Sequence, residues 1–343
     1  MNKKLLSLVL ISGLIVSGVF ASGAQESGDS AGKKVAGFVW YNYADTFITS
    51  ARTVVANEAV NGPVALLSTD SQNDIAMQAN NINALFAKKV DYICINNISP
   101  NDSASMIQKA KDQNIPILFV NCTSPTEEEL ASYDKVYHIS SAAEQSGWIQ
   151  GDAVSEYWKA HSDADRNGNG KLDYIMLVGM QGNYDSQMRT DKSIERVVDN
   201  GIEVNCLQEM LCDWQRGKAM NQVASVLAAN GNDIDAIFAN NDDMALGAIE
   251  ALKASGYLGD GPYIPVVGVD ATKVGVQAIE EGTLLATSLN NPVTLGKTIY
   301  KVLTLLDEGQ PITDETVGAT MTGKHIWLDY VAITKDNIED AAY

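Results

Sequence analysis

The sequence predicts an α/β protein of two doubly wound lobes, each a parallel sheet covered by helices on both faces. Three observations carry this. Strand-like apolar runs alternate with helical stretches along nearly the whole chain. The strand runs are almost continuously apolar, as expected for strands buried on both faces. About ten such strands exceed what one compact sheet of this type usually holds, and 343 residues are enough for about two domains.

Taken in order, Val35–Trp40 is an apolar run followed by a helical stretch from Asp45 to Ala59. Val64–Ser68 is a strand, and Asn73–Lys89 is helical, with Ala76, Ala79, Ile82 and Phe86 at helical spacing. Tyr92–Asn97 is a strand, Asp102–Gln113 a helix, and Ile115–Asn121 a strand. After Tyr137–Ser141 the cycle resumes with a helix over Glu144–Ala160. Later strands are expected at Tyr174–Gly179, Glu203–Glu209, Asp235–Asn240, Ile264–Asp270 and Leu285–Asn290. The helices between them run into Gly201, Gly231, Gly256, Gly282 and Gly309, the residue type that most readily ends a helix.

Composition narrows the function classes. Hydrophobic content of 45% and charged content of 20% allow a large core and argue against disorder. A net charge of −19 and a pI near 4.4 repel nucleic acid and anionic membrane surfaces. That field suits a neutral or cationic ligand, or is simply a solvated acidic surface. At the N-terminus, Lys3 and Lys4 precede a mostly apolar run from Leu5 to Phe20 that ends in small residues. This is the grammar of a secretory signal peptide over residues 1–21, with a flexible leader over 22–32 and export as the consequence. The run is too short for a membrane span, which needs ~20 residues. Cys94, Cys122, Cys206 and Cys212 show no metal spacing. Cys206 and Cys212 sit in an extended segment that would hold them roughly 20 Å apart, so buried free thiols are the default expectation.

Strand after strand closes on Asn or Asp: Asn96-Asn97, Asn121, Asn240 to Asp243, Asp270 and Asn290-Asn291. Ligands bind outside the carboxyl ends of strands in open parallel sheets, and amides and carboxylates suit hydroxyl recognition. Each could instead be a helix N-cap, but caps do not require amides at nearly every strand end. Enzyme signatures are missing. There is no nucleophile elbow, phosphate loop or dinucleotide fingerprint, and the three histidines, His138, His161 and His325, have no partner motif. Binding without catalysis is the expectation. Phe47 after Asp45 and Trp214 after Asp213 are candidate flat platforms for the apolar faces of a sugar ring.

One metal-like motif stands out. Asp165, Asn167, Asn169, Lys171 and Asp173 fall at alternate positions with glycines between, like the first part of a calcium loop. Lys171 could offer only its carbonyl. The twelfth position is Met176 rather than Glu, so this is not an EF-hand, and an Asn/Gly/Asp surface turn is the alternative.

Together the stretches Tyr41 to Phe47, Asp70 to Asp74, Ile95-Asn96, Asp185 with Arg189, Ala239 to Gly247, Gly268 to Asp270 and Ser288 to Asn290 closely resemble the periplasmic galactose/glucose-binding proteins. These are substrate-binding components of ABC importers. The match runs in order over nearly all of the mature chain, and the calcium loop makes it specific within the wider sugar-binding family. The resemblance implies the type I periplasmic binding protein fold, with two lobes joined by a three-strand hinge. It implies that Asp45, Asn96, Asp185, Arg189, Asn241, Asp270 and Asn290 hydrogen-bond the sugar while Phe47 and Trp214 stack on its faces. It places Asp165, Asn167, Asn169, Lys171 and Asp173 on a calcium loop, with Asp235 standing where the family takes a Glu. The family histidine two residues before Asp185 is Asn183 here, and Asp173 replaces a glutamine ligand.

The implied crossings lie near Asn121–Cys122, Asn290–Asn291 and His325–Leu328. They give an N-terminal lobe of residues 33–121 with 291–325 and a C-terminal lobe of 122–290 with 326–343. The implied partners are a monosaccharide, an importer permease and a chemoreceptor, with the protein itself a monomer. The preferred ligand is a hexose, with a pentose or another small polar molecule as the alternative.

Overall fold

The computed structural model describes residues 25–27, 32–121, 125–258 and 263–341. The expected signal peptide and Cys122 lie outside them. The chain starts with β1 (Gln25–Ser27), β2 (Lys34–Trp40), α1 (Thr46–Asn61), β3 (Val64–Asp70), α2 (Ile75–Lys88) and β4 (Tyr92–Ile95). It continues through α3 (Ser103–Gln113), β5 (Ile117–Val120), α4 (Glu127–Ala131) and β6 (Val136–Ser141). Next come α5 (Ala143–Ala160), β7 (Leu172–Val178), α6 (Tyr184–Asp199), β8 (Val204–Leu211), α7 (Arg216–Asn230) and β9 (Ala236–Ala239). They are followed by α8 (Asp242–Ala254), β10 (Val266–Val269), α9 (Lys273–Glu280) and β11 (Ala286–Leu289). The last elements are α10 (Pro292–Asp307), α11 (Asp314–Val317), β12 (Thr320–Thr322), β13 (His325–Leu328) and β14 (Val331–Ile333).

Two sheets result, in the orders β1-β3-β2-β4-β5-β6-β13-β12 and β14-β11-β10-β9-β7-β8. Pairing is parallel except for β1 on β3, β12 on β13 and β14 on β11. Helices cover both faces of each sheet because successive side chains of a strand point to opposite faces. In β2, Phe38 and Trp40 face a core with Ile48 of α1 and Leu295 and Ile299 of α10, while Val39 faces one with Leu85 of α2 and Ile107 of α3. The second sheet has two cores of the same kind. The expected two-lobed, doubly wound architecture is what the chain adopts.

Two expectations need correction. Strand β6 pairs with β5 and β13 in the first sheet, so the first crossing falls after Ser141 and not at Asn121–Cys122. Likewise β13 lies wholly in the first sheet and β14 in the second, which places the third crossing at residues 329–330. The crossing at Asn290–Asn291 stands, between β11 of the second sheet and α10, which packs in the first lobe. Both lobes use the same strand–helix grammar, so local sequence does not say which sheet a strand joins. The second correction is in the leader: Gln25–Ser27 pairs antiparallel with β3 as an edge strand. Two crossings are tied side by side by Ser141 Oγ donating to Asn290 Oδ1 at 2.9 Å.

Helix ends follow the sequence with one change of cause. Gly201, Gly256, Gly282 and Gly309 have positive φ, as expected of residues that end a helix. Gly231 caps α7 in the right-handed region. There a Cβ would lie 2.1 Å from Tyr257 Oη, so close packing is what requires glycine.

Asp242, at the start of α8, is wholly buried. It accepts from Thr272 N at 2.7 Å, Thr272 Oγ1 at 3.0 Å and Thr287 Oγ1 at 2.6 Å, tying α8 to the N-cap of α9 and to β11. Burial nevertheless pushes its carboxyl up to about 7. A raised acid pKa in the folded state contributes stability that is complete below the unfolded value near 3.9 and lost as pH rises through the folded one. Wild type is therefore expected to lose more stability than Asp242→Asn between pH 5 and 8, by a few kcal/mol at most. Urea denaturation at both pH values checks this, and parallel losses in the two proteins would refute it.

Candidate functional site

In the first sheet the strand order reverses between β2 and β4, and in the second between β7 and β9. Such switch points open a crevice at the carboxyl ends of the strands, and here the two crevices face each other. Between them lies a cleft lined by residues of both lobes, the usual setting of a small-molecule site. All ten residues expected from sequence line it: Asp45, Phe47 and Asn96 from the first lobe, and Asn183, Asp185, Arg189, Trp214, Asn241, Asp270 and Asn290 from the second. None of the three histidines does.

Arg189 organises the second-lobe wall. Its side chain is 5% exposed and lies 3.7 Å from Asp185 and 4.0 Å from Asp270. It donates through Nη1 to Asn240 O at 2.6 Å and through Nη2 to Tyr330 Oη at 3.0 Å. Its Nε is buried without a partner. Burial raises the carboxyls of Asp45, Asp185 and Asp270, while Arg189 opposes the shift at Asp185 and Asp270. Three desolvated carboxylates and one guanidinium can accept from and donate to a neutral polyhydroxy ligand at low local dielectric, where such bonds are strong.

The capping and binding readings of the strand-end residues turn out to be compatible. Asp45, Asn183 and Asn241 are the N-caps of α1, α6 and α8, each accepting from a backbone N–H three residues on. They still line the cleft, because in a parallel sheet the helix N-terminus starts where the strand ends. Asn96 is different. Its Nδ2 donates to Val120 O at 3.0 Å and Asn121 O at 2.6 Å, and its Oδ1 accepts from Tyr41 N. Much of its capacity holds neighbouring chain ends together.

Sequence reasoning missed several contributors. Tyr41 lines the cleft and hydrogen-bonds Asp45 Oδ2. Tyr330, after the third crossing, holds Arg189. Gly179 makes room for Trp214, whose ring lies 2.2 Å from where a Cβ would stand. Left-handed φ at Asn121, Asp213, Trp214, Asp270 and Ala271 concentrates non-glycine strain around this cleft, as is common where a scaffold fixes functional side chains. Tyr41, Gly179 and Tyr330 were visible as letters, but nothing in the sequence said what each would face.

The loop between α5 and β7 brings the second set of candidates together. Asp165 accepts from the backbone N–H groups of Gly168, Asn169 and Gly170. Asn167 and Asn169 turn their amide nitrogens to Asp173 Oδ2 at 2.7 and 2.6 Å. Asp235 accepts from Arg166 N and Asp173 N at 2.9 and 2.8 Å. Burial, with the Asp173 and Asp165 charges adding to it, pushes the Asp235 carboxyl up to about 6. The side-chain oxygens and the Lys171 carbonyl are the donor chemistry of a hard divalent cation. Among the described residues no three carboxylate, histidine or cysteine side chains form a ready-made cage.

Comparison with known proteins gives a consistent picture. A profile of the periplasmic binding protein domain matches residues 36–311. The chain is 35% identical over 306 residues to the D-galactose/methyl-galactoside binding periplasmic protein of Haemophilus influenzae, covering 89% of this chain and 90% of that one. It is 27% identical to a xylitol-binding protein of Mycolicibacterium smegmatis, covering 92% and 82%. Among solved structures, an ABC transporter solute binding protein from Bacillus halodurans with bound myo-inositol superposes with a TM-score of 0.76 at 27% identity, covering 91% of this chain and 98% of that one.

Proposed function

The chain belongs to the periplasmic binding protein family, and from that premise we propose that it captures a hexose, glucose or galactose, and delivers it unchanged to an ABC importer. The observation that carries this reading is the cleft wall: Phe47 from one lobe and Trp214 from the other border a space whose polar rim is Asp45, Asp185, Arg189, Asn241, Asp270 and Asn290. Aromatic rings cover the C–H faces of a pyranose, while carboxylates, amides and the guanidinium satisfy its hydroxyls. The likeness to a galactoside-binding relative supports a hexose.

A pentose, polyol or other small polar ligand is the second reading. Asn183 supports it, since the oxygen of that amide is engaged with Ser186 N at 3.0 Å and only its nitrogen is open to a ligand. Xylitol and myo-inositol in the names of similar proteins show how far the fold's ligands range.

Delivery follows from closure. A ligand held by both lobes stabilises the closed arrangement by its differential affinity for it. Here the lobes meet at the mouth of the cleft, where Thr46 Oγ1 donates to Asp243 Oδ2 at 2.7 Å. Asp243 also pairs with Arg216 at 2.8 Å. The closed surface is what a permease, and in a chemotactic role a chemoreceptor, would recognise from a monomer exported to the periplasm. We further propose that Asp165, Asn167, Asn169, Lys171, Asp173 and Asp235 hold calcium, which would supply a counter-charge and stiffen the loop.

Calorimetric titration with glucose, galactose, xylose and ribose tests the first reading. At least one hexose is expected to bind in the micromolar range or tighter, and failure of both hexoses would overturn it. A calcium chelator is expected to lower the melting temperature by several degrees through lost ligand stabilisation. An unchanged melting temperature would remove the metal.

A further inference from the structure

We propose that Asn97 is a specificity-determining residue of the cleft, reading one ligand hydroxyl from the first-lobe side. The proposal rests on the reading of this cleft as a monosaccharide site and names an element of recognition that the rim described above lacks. Asn97 lines the cleft beside Asn96 and is 6% exposed. Its Oδ1 and Nδ2 are both buried, and neither has a hydrogen-bond partner. A buried primary amide with every donor and acceptor idle is costly, and native structures contain few of them.

The surroundings are not loose, so the idle amide is not a by-product of poor packing. The buried side chain of Gln78 clamps the backbone on both sides of Asn97. Its Nε2 donates to Asn96 O at 3.0 Å, and its Oε1 accepts from Ile98 N at 2.9 Å. The neighbouring Asn96 is fixed by its own bonds to Val120 O and Asn121 O. The backbone on either side is anchored and only the Asn97 side chain is unpaired, which is the pattern of a group held ready for a ligand.

Ligand chemistry follows from the inventory of a primary amide. It offers two donors and one acceptor, so its natural partner is a hydroxyl, which donates and accepts hydrogen bonds at one atom. The ligand is therefore a ring with a hydroxyl directed at the end of β4, and the analogue lacking that hydroxyl is rejected because the amide is left unpaired.

The test is titration of wild type and Asn97→Leu with the best-binding sugar and its complete set of monodeoxy analogues, together with melting temperatures without sugar. The parent sugar is expected to bind Asn97→Leu about tenfold or more weakly. One monodeoxy analogue, disfavoured about tenfold by wild type, should bind the variant as well as the parent does, while the other analogues keep their penalties. Without sugar the variant should melt at or above the wild-type temperature, since an unpaired buried amide has been removed. A lower melting temperature with all sugars weakened equally would make Asn97 structural and overturn the proposal. Unchanged discrimination across the analogues would overturn it alone, leaving the cleft reading intact. Failure of wild type itself to bind any monosaccharide would overturn both.

Discussion

Arg189→Met is expected to reduce sugar affinity by about a hundredfold or more and to destabilise the unliganded protein by about 3–5 kcal/mol, the usual cost of removing one partner from a buried ionic cluster. The size follows from its surroundings. Arg189 faces Asp185 at 3.7 Å and Asp270 at 4.0 Å, and both carboxylates are buried. Methionine fills much of the same volume but leaves those charges without their cation. It also leaves Asn240 O and Tyr330 Oη without the donors that now reach them at 2.6 and 3.0 Å. The pH signature distinguishes lost charge from lost packing. Burial already raises both carboxyls, and Arg189 is what restrains them. Without it they rise further, and stability tied to a raised acid pKa is lost as pH increases. Denaturant unfolding should therefore show a larger deficit at pH 8 than at pH 5. An equal deficit at both would attribute the loss to packing alone.

Trp214→Ala is the second large effect. An aromatic platform at the centre of a binding site commonly carries 2 kcal/mol or more, so affinity should fall by about thirtyfold to a thousandfold. The indole is held for this task at some expense. Its backbone sits at φ 63°, a conformation that costs a bulky residue about 1–3 kcal/mol. Its ring occupies the space left by Gly179. Stability without sugar should change less than affinity does, because Trp214 is only half-buried. Calorimetry on the variant decides the matter, and an affinity within threefold of wild type would remove Trp214 from the site.

Much of this cleft was legible because a simple rule connects sequence to place. In a parallel doubly wound sheet the residues just beyond each strand share one edge, so the Asn and Asp residues after β2, β4, β9, β10 and β11 had to gather there. Alternation of continuous apolar strands with helices fixed the lobes in the same way. Exact membership was less accessible. Strand β6 reads like any other buried strand, and its place beside β13 depends on partners nearly two hundred residues away. Tyr330 reaches Arg189 only because the third crossing returns the chain to the second lobe.

The sequence by itself determined the class of the protein: two parallel lobes, polar strand ends, flat aromatics beside polar residues, and an acidic loop of oxygen donors. Local periodicity and the chemistry of single side chains suffice for that. The tertiary structure alone decided how each polar group is spent. Asn96 and Asn97 are identical neighbours at the end of the same strand. Folding turns one amide into the backbone of the next strands and leaves the other unpaired in the cleft. Hydrogen-bond capacity belongs to the residue, but whether it is used depends on partners brought near only by the closed chain.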